Sequence, residues 1–143
     1  MATLQISNRC RYERGLGNIK FNSDTFKIIL LDPDFVFDKA THGTYADISA
    51  HEISASGEYV VGGYELVVDE AWAQDNVANT AEILWDMVAF TAVNGNFADF
   101  KTAAIFDSTH VDDVVIGAAV LEDTVTLLSG EFHYLLGMGY LSS

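Results

Sequence analysis

Basic residues, proline and cysteine are what this chain has least of. Seven Lys and Arg stand against 21 Asp and Glu in 143 residues, a formal net charge of −14. Binding nucleic-acid phosphates needs clustered cations, so the body of the chain is expected to repel nucleic acid. The single cysteine, Cys10, excludes an internal disulfide and suits a reducing cytosol during folding. No local histidine would activate its thiol, and it reads as a small buried hydrophobe. No run of about 18 uninterrupted apolar residues is present, which argues against a membrane span. The opening "MATLQISNRCRYERG" lacks the apolar core and cleavage site of a secretory signal.

Apolar residues are what the chain has in plenty. Half the residues are hydrophobic and only 20% are charged, in a length that suits one domain. Either some apolar surface is covered by another chain, or a sheet protein holds a generous core. The charge is unevenly spread. Residues 1–39 carry six basic and five acidic groups; residues 40–143 carry Lys101 alone against sixteen acids. Arg9, Arg11, Arg14 and Lys20 fall within twelve residues. They form either a solvated helix face or an arm that docks on an acidic neighbour.

Ser7 is placed to cap a short helix over Asn8 to Arg14, ended by Gly15 or Gly17. "TFKIILL" (25–31) alternates Phe26, Ile28 and Leu30 with Lys27, Ile29 and Leu31, as a strand covered on both faces does. Pro33 stops it. Residues 45–58 predict one helical turn and a loop. "GEYVVGGYELVV" (57–68) predicts a hairpin closed by Gly62-Gly63, since glycine accepts the positive φ of a primed turn. Further strand runs are expected from 79 to about Trp85 and over 101–107, 114–122 and 130–141, with an Asn-Gly turn in 93–97. Gly117 marks a bulge or a close backbone approach. The spacing predicts a mainly β fold: an antiparallel β-sandwich or barrel-like body over 23–143, with an N-terminal arm or helix over 1–22.

Chemistry-bearing groups do not converge in the sequence. Asp32, Asp34 and Asp38 lack the glycine and distal glutamate of a calcium loop. His110 among Asp107, Asp112 and Asp113 reads as a polar loop rather than a metal site. His51 beside Glu52 is a possible acid–base pair. In "EFHYLL", alternation puts Glu131 and His133 on a wet face, opposite Phe132 and Tyr134. Trp72 and Trp85 read as core. No metal, cofactor or enzymatic activity is expected.

Three motifs carry a resemblance. They are Asp24-Thr25-Phe26-Lys27, then Asp47-Ile48-Ser49-Ala50-His51-Glu52-Ile53, then Gly57-Glu58-Tyr59-Val60-Val61-Gly62-Gly63. With these, and with "ILW", "KTAAIFDST", "VVIGAAVLED" and "MGYL" farther on, the chain resembles a family of small virion structural proteins of tailed bacteriophages. The "KTAAIF" strand departs from the family's usual Arg-Tyr start. The resemblance implies a particle component made in the bacterial cytoplasm, foremost a decoration or cement protein on the capsid surface. The major capsid protein and neighbouring copies of the chain would be its partners, with Arg9, Arg11, Arg14 and Lys20 as candidate contacts. The alternative it leaves is a tail or fibre component that reads a host glycan through Tyr64, Trp72 or Tyr140.

Overall fold

The computed structural model describes residues 2–135 and 138–142. In chain order its first strands are β1 (Ala2–Thr3), β2 (Gln5–Ile6), β3 (Phe26–Leu31), β4 (Tyr64–Glu65), β5 (Val68–Asp75) and β6 (Thr80–Trp85). They are followed by β7 (Val88–Thr91), β8 (Phe100–Asp107), β9 (Val115–Val125), β10 (Phe132–Leu135) and β11 (Met138–Ser142). Helix α1 spans Asn8–Gly15 and α2 spans Tyr45–Ile48, with 3₁₀ turns at Ser49–His51 and Ser56–Glu58.

A five-stranded antiparallel sheet in the order β2-β9-β8-β3-β4 faces a four-stranded sheet in the order β1-β11-β6-β5. Pairing in the second sheet is antiparallel except between β1 and β11. Strands β7 and β10 form a separate pair in the same register as β6 with β11: Leu135 faces Val88 and Gly139 faces Leu84. The two pairs are thus one antiparallel ribbon broken at Asp86–Met87. The mainly β, antiparallel, sandwich-like expectation holds.

The alternation in β3 sets the layers. Phe26, Ile28 and Leu30 join Ile105 and Ile116 in a core shared with Ile83, Trp85, Phe90 and Tyr140 of the facing strands. Ile29 and Leu31 point the other way, into a second core with Ala104, Phe106 and Val115. That outer core is closed by Phe35 and Ile48 from the connection after β3. Both faces of the strand are dry, as its sequence indicated.

The N-terminal segment is a helix built into the body. Ser7 Oγ accepts the Cys10 N–H at 2.9 Å, the N-cap that the sequence proposed. Cys10, Ile19 and Phe21 are buried, and β1 and β2 enter opposite sheets. Burial pushes the Cys10 thiol up to about 12, which fits a buried hydrophobe and not a nucleophile.

Two expectations are corrected. Residues 57–68 do not form a hairpin: β4 pairs with β3, and Tyr59–Val61 joins no strand. Tyr59 instead drives its ring into the core, where its hydroxyl accepts the Leu30 N–H and donates to Glu52, so the first run anchors rather than ladders. Gly62 and Gly63 do turn the chain, with φ of 98° and 100° and the Gly63 N–H on the Val60 carbonyl. Second, β5 makes the hairpin with β6 that the sequence reading missed. Its residues are exposed but for half-buried Trp72, so no apolar alternation announces it. The run 130–141 does give strands, β10 and β11, with residues 136–137 of it outside the described residues.

Gly117 is the close approach expected of it: a Cβ there would lie 2.5 Å from the Gln5 carbonyl oxygen of β2. A register shift at Ile116 adds the bulge. Gly117→Ala should push β2 off the sheet edge, at a cost of about 1–3 kcal/mol in denaturant unfolding. Loss of amide-exchange protection at Ser7, whose N–H donates to the Ile116 carbonyl of β9, should accompany it.

Candidate functional site

Residues of the second and third motifs that carry the resemblance meet at one point. Asp47 reaches back to accept the Thr44 N–H at 2.9 Å and the Gly43 N–H at 3.1 Å, which fixes the start of α2. Ile48 and Ile53 are buried on opposite sides of the five-stranded sheet. Between them the Glu52 carboxylate accepts three donors: the hydroxyl of Tyr45, the hydroxyl of Tyr59 at 2.7 Å and the Gly62 N–H at 2.9 Å. Tyr59 Oη in turn accepts the Leu30 N–H at 3.0 Å, joining the cluster to β3. Burial foremost, with Glu52 adding to it, raises both tyrosine hydroxyls above their ordinary value. Gly63 packs so closely on β3 that a Cβ would lie 2.8 Å from the Ile28 carbonyl oxygen. These residues hold a scaffold together. Glu52 is not His51's partner; His51 Nδ1 faces Asp32 at 3.3 Å instead.

A second polar cluster seats α1. Glu13 accepts from Arg9 Nε at 2.9 Å and from Asn18 Nδ2 at 2.7 Å, and these bonds, Asn18 first, hold its carboxyl below the usual range. Arg9 also reaches Asp112 at 2.9 Å. His110 Nδ1 accepts the Asp112 N–H, so the Nε2 proton faces Glu13 at 3.5 Å. His110 is therefore a strut between α1 and the β8–β9 loop. Asp107 is wholly buried beside this cluster; its Oδ1 accepts the Thr109 and His110 N–H groups. Burial, and then the carboxylate of Asp24, push its carboxyl up to about 8. Its other oxygen, Oδ2, is buried without a hydrogen-bond partner among the described residues, which favours the protonated acid.

The other candidates disperse. Asp32 and Asp38 cap nearby backbone N–H groups in their own loop. Among the described residues, no three His, Cys, Asp or Glu side chains gather as metal ligands. Tyr140 is buried; Trp72 is half-buried and stacks on Phe21 at 4.9 Å, and Tyr64 meets Phe90 edge-on at 5.0 Å. The glycan candidates are thus absorbed by packing. In β10 the alternation is as expected but its faces are reversed: Phe132 and Tyr134 are 60% and 51% exposed, while His133 turns in toward Phe100.

The four cations proposed as contacts divide. Arg9 is committed to Glu13 and Asp112, and Arg14 lies 5.5 Å from the Tyr140 ring centroid. Arg11 and Lys20 are exposed, and so are Tyr12 and Leu16, which lie one helical turn apart. Arginine and tyrosine at an exposed face are what protein interfaces enrich. Among the described residues no helix is long and apolar enough to cross a membrane. Comparison with protein-family models, with curated proteins and with solved structures gives no match.

Two outcomes follow. Glu52→Ala should cost about 1.5–3 kcal/mol in urea unfolding, because Tyr59 and Gly62 lose a charged acceptor. Combined with Tyr59→Phe, the loss should fall short of the sum. For Asp107 the folded value lies above the unfolded one of about 3.9, so its contribution is full below that pH and is lost as pH rises toward 8. Asp107→Asn keeps the acceptor oxygen and cannot ionise. Its melting temperature should fall less than wild type's between pH 5 and pH 8. At pH 8 it should be the more stable protein by about 1–3 kcal/mol.

Proposed function

We propose that this chain is a structural component of a tailed-bacteriophage particle, a decoration or cement protein of the head that works by docking. The observation that carries the reading is the use made of the motifs. Asp47, Glu52, Tyr59 and Gly63, which bear the resemblance, all serve one structural knot. A resemblance that rests on scaffold residues supports a shared architecture, and a coat protein is a case where the architecture is the function.

The surface supports the same reading. Arg11, Tyr12, Leu16 and Lys20 place cations and apolar groups together, in a chain whose remaining surface is strongly acidic. Apolar contact supplies affinity there and opposite charge supplies register. Contacts of about 800 Å² per partner, repeated over many copies, give firm attachment from modest single interactions.

The experiment adds purified protein to heads stripped of accessory proteins and measures occupancy by cosedimentation. Wild type should bind, and Arg11→Glu with Lys20→Glu should lower occupancy about tenfold or more while leaving the unfolding curve unchanged. Equal occupancy by both proteins would reject α1 as the anchor. Binding of wild type to tails and not to heads would reject the decoration role.

A further inference from the structure

Strand β2 covers only part of the edge it occupies. It pairs with β9 at Gly117 and Ala118, and β9 runs on to Val125. Among the described residues no strand pairs with that side of β9 beyond Ala118, and no turn or loop backbone bond reaches residues 119–125. Past Val120 the strand bulges from β8, since Thr102 faces Val120 while Phe100 already faces Val125. The bulge carries exposed Glu122 and Asp123, and a bulge with charges is how proteins guard an edge. Residues 119–121 lie between β2 and that guard and have neither.

This gap has a pocket on each face. On the side of the shared core, Ala119 and Leu121 line a cavity of about 210 Å³ with Ala103, His133 and Leu135. On the opposite side, Val120 lines one of about 300 Å³ with Thr102, Lys101, Phe35 and Phe37. Side chains alternate between the faces of a strand, so a strand laid along this edge would send neighbouring side chains into the two pockets in turn. Small-molecule sites run to roughly 300–1,000 Å³, so pockets of this size suit single side chains better than a whole ligand. Lys101 is the only Lys or Arg in residues 40–143, and it makes no ion pair among the described residues.

We infer that residues 119–121 receive an extended segment of a partner protein, which adds to β9 as a strand where β2 stops. Main-chain hydrogen bonds to β9 give affinity, and the two pockets select apolar side chains at neighbouring positions. A carboxylate of the guest meets Lys101, and a basic residue meets Glu122 and Asp123. Two β9 edges do not suit each other. Paired about a two-fold axis they bring Glu122 and Asp123 against their own counterparts, and like charges set opposite destabilise a ladder. The site uses no residue of α1, and the inference does not rest on the coat-protein reading.

The probe is a displayed library of random peptides of about six residues, an ordinary strand length, panned on the full-length protein. Enriched peptides should hold neighbouring apolar residues and an acidic one, with no proline inside that run. Synthetic copies are then titrated by fluorescence anisotropy. N-methylation at alternate residues removes the donors along one edge of the guest. In one phase it should weaken binding about tenfold or more, and in the other phase leave it unchanged. Lys101→Glu should weaken the acidic peptides about tenfold, with its unfolding curve unchanged, and replacing the peptide's acid by lysine should restore binding to that variant. No enrichment over a protein-free control, equal effects of both methylation phases, or indifference to Lys101→Glu would each overturn the inference. So would a wild-type dimer that the peptides dissociate in sedimentation equilibrium, since a second copy would then hold the edge. No phage particle enters the measurement, so its failure leaves the coat reading standing, and failure to bind heads leaves this inference standing.

Discussion

A sheet that is apolar on both faces has to be covered twice, and the rest of this molecule answers that demand. The β6–β11 and β7–β10 ribbon covers one face of the β2-β9-β8-β3-β4 sheet with Ile83, Trp85 and Phe90. The other face, with Ile29, Leu31 and Phe106, has only the long connection after β3 to close it. That connection touches the sheet through two isolated bridges, Leu31 with Glu52 and Thr44 with Val114. Burying a side chain such as Ile48 is worth about 1.5–3 kcal/mol, against about 1 kcal/mol net for an ordinary hydrogen bond. The apolar contacts thus supply most of the stability. Glu52 decides where the cover sits, since one carboxylate ties α2's Tyr45, the Tyr59 anchor and the Gly62 turn to the same spot.

The buried acids follow the same logic at the other end of β3. Asp107 ends β8 inside the protein, where an ionised carboxylate costs more than the neutral acid. Glu13 is also buried, but Arg9 and Asn18 hold it in its charged form. The two carboxyl groups therefore shift in opposite directions, because Asn18 and Arg9 favour the charged form of Glu13, whereas burial and Asp24 outweigh the two N–H donors of Asp107. Both choices fix α1 against the β8–β9 loop, and that fixes which of its cations point outward.

What could be read in the sequence follows from how local each cause is. The two-sided burial of β3, the Ser7 cap, the buried Cys10 and the tight Gly117 contact are consequences of neighbouring letters, and all are present. The failures needed distant partners. Gly62-Gly63 does turn the chain, but no local signal shows that Tyr59 will leave the ladder for Leu30 and Glu52. In β10 a period of two gives two faces without saying which is wet, and the choice fell to Phe100, which takes His133 inward. Strand β5 is nearly all exposed and so lacks the apolar pattern that betrays a strand. At the surface, the clustering of basic residues was legible, whereas the withdrawal of Arg9 into ion pairs with Glu13 and Asp112 was not.

Segregated charge is costly to keep unless it is used. Strips of like sign repel within themselves, and a mixed surface would keep the protein soluble with less strain. Here the cations outside the ion pairs with Glu13 and Asp112 include Arg11 and Lys20, in a chain whose β5–β6 hairpin holds four acids and no Lys or Arg. Such a layout adds little to folding, because exposed charges contribute about 0–1 kcal/mol as pairs. Its physical effect lies in docking, where oriented charge sets the approach and register of a partner and apolar groups such as Tyr12 and Leu16 set how long it stays. A rigid double-covered sheet is suited to present that layout, since the strips keep their spacing only if the elements beneath them do not move. Stability in the core and selectivity at the surface are therefore two consequences of one constraint: both faces of β3 must be dry, and every covering segment is held in place to keep them so.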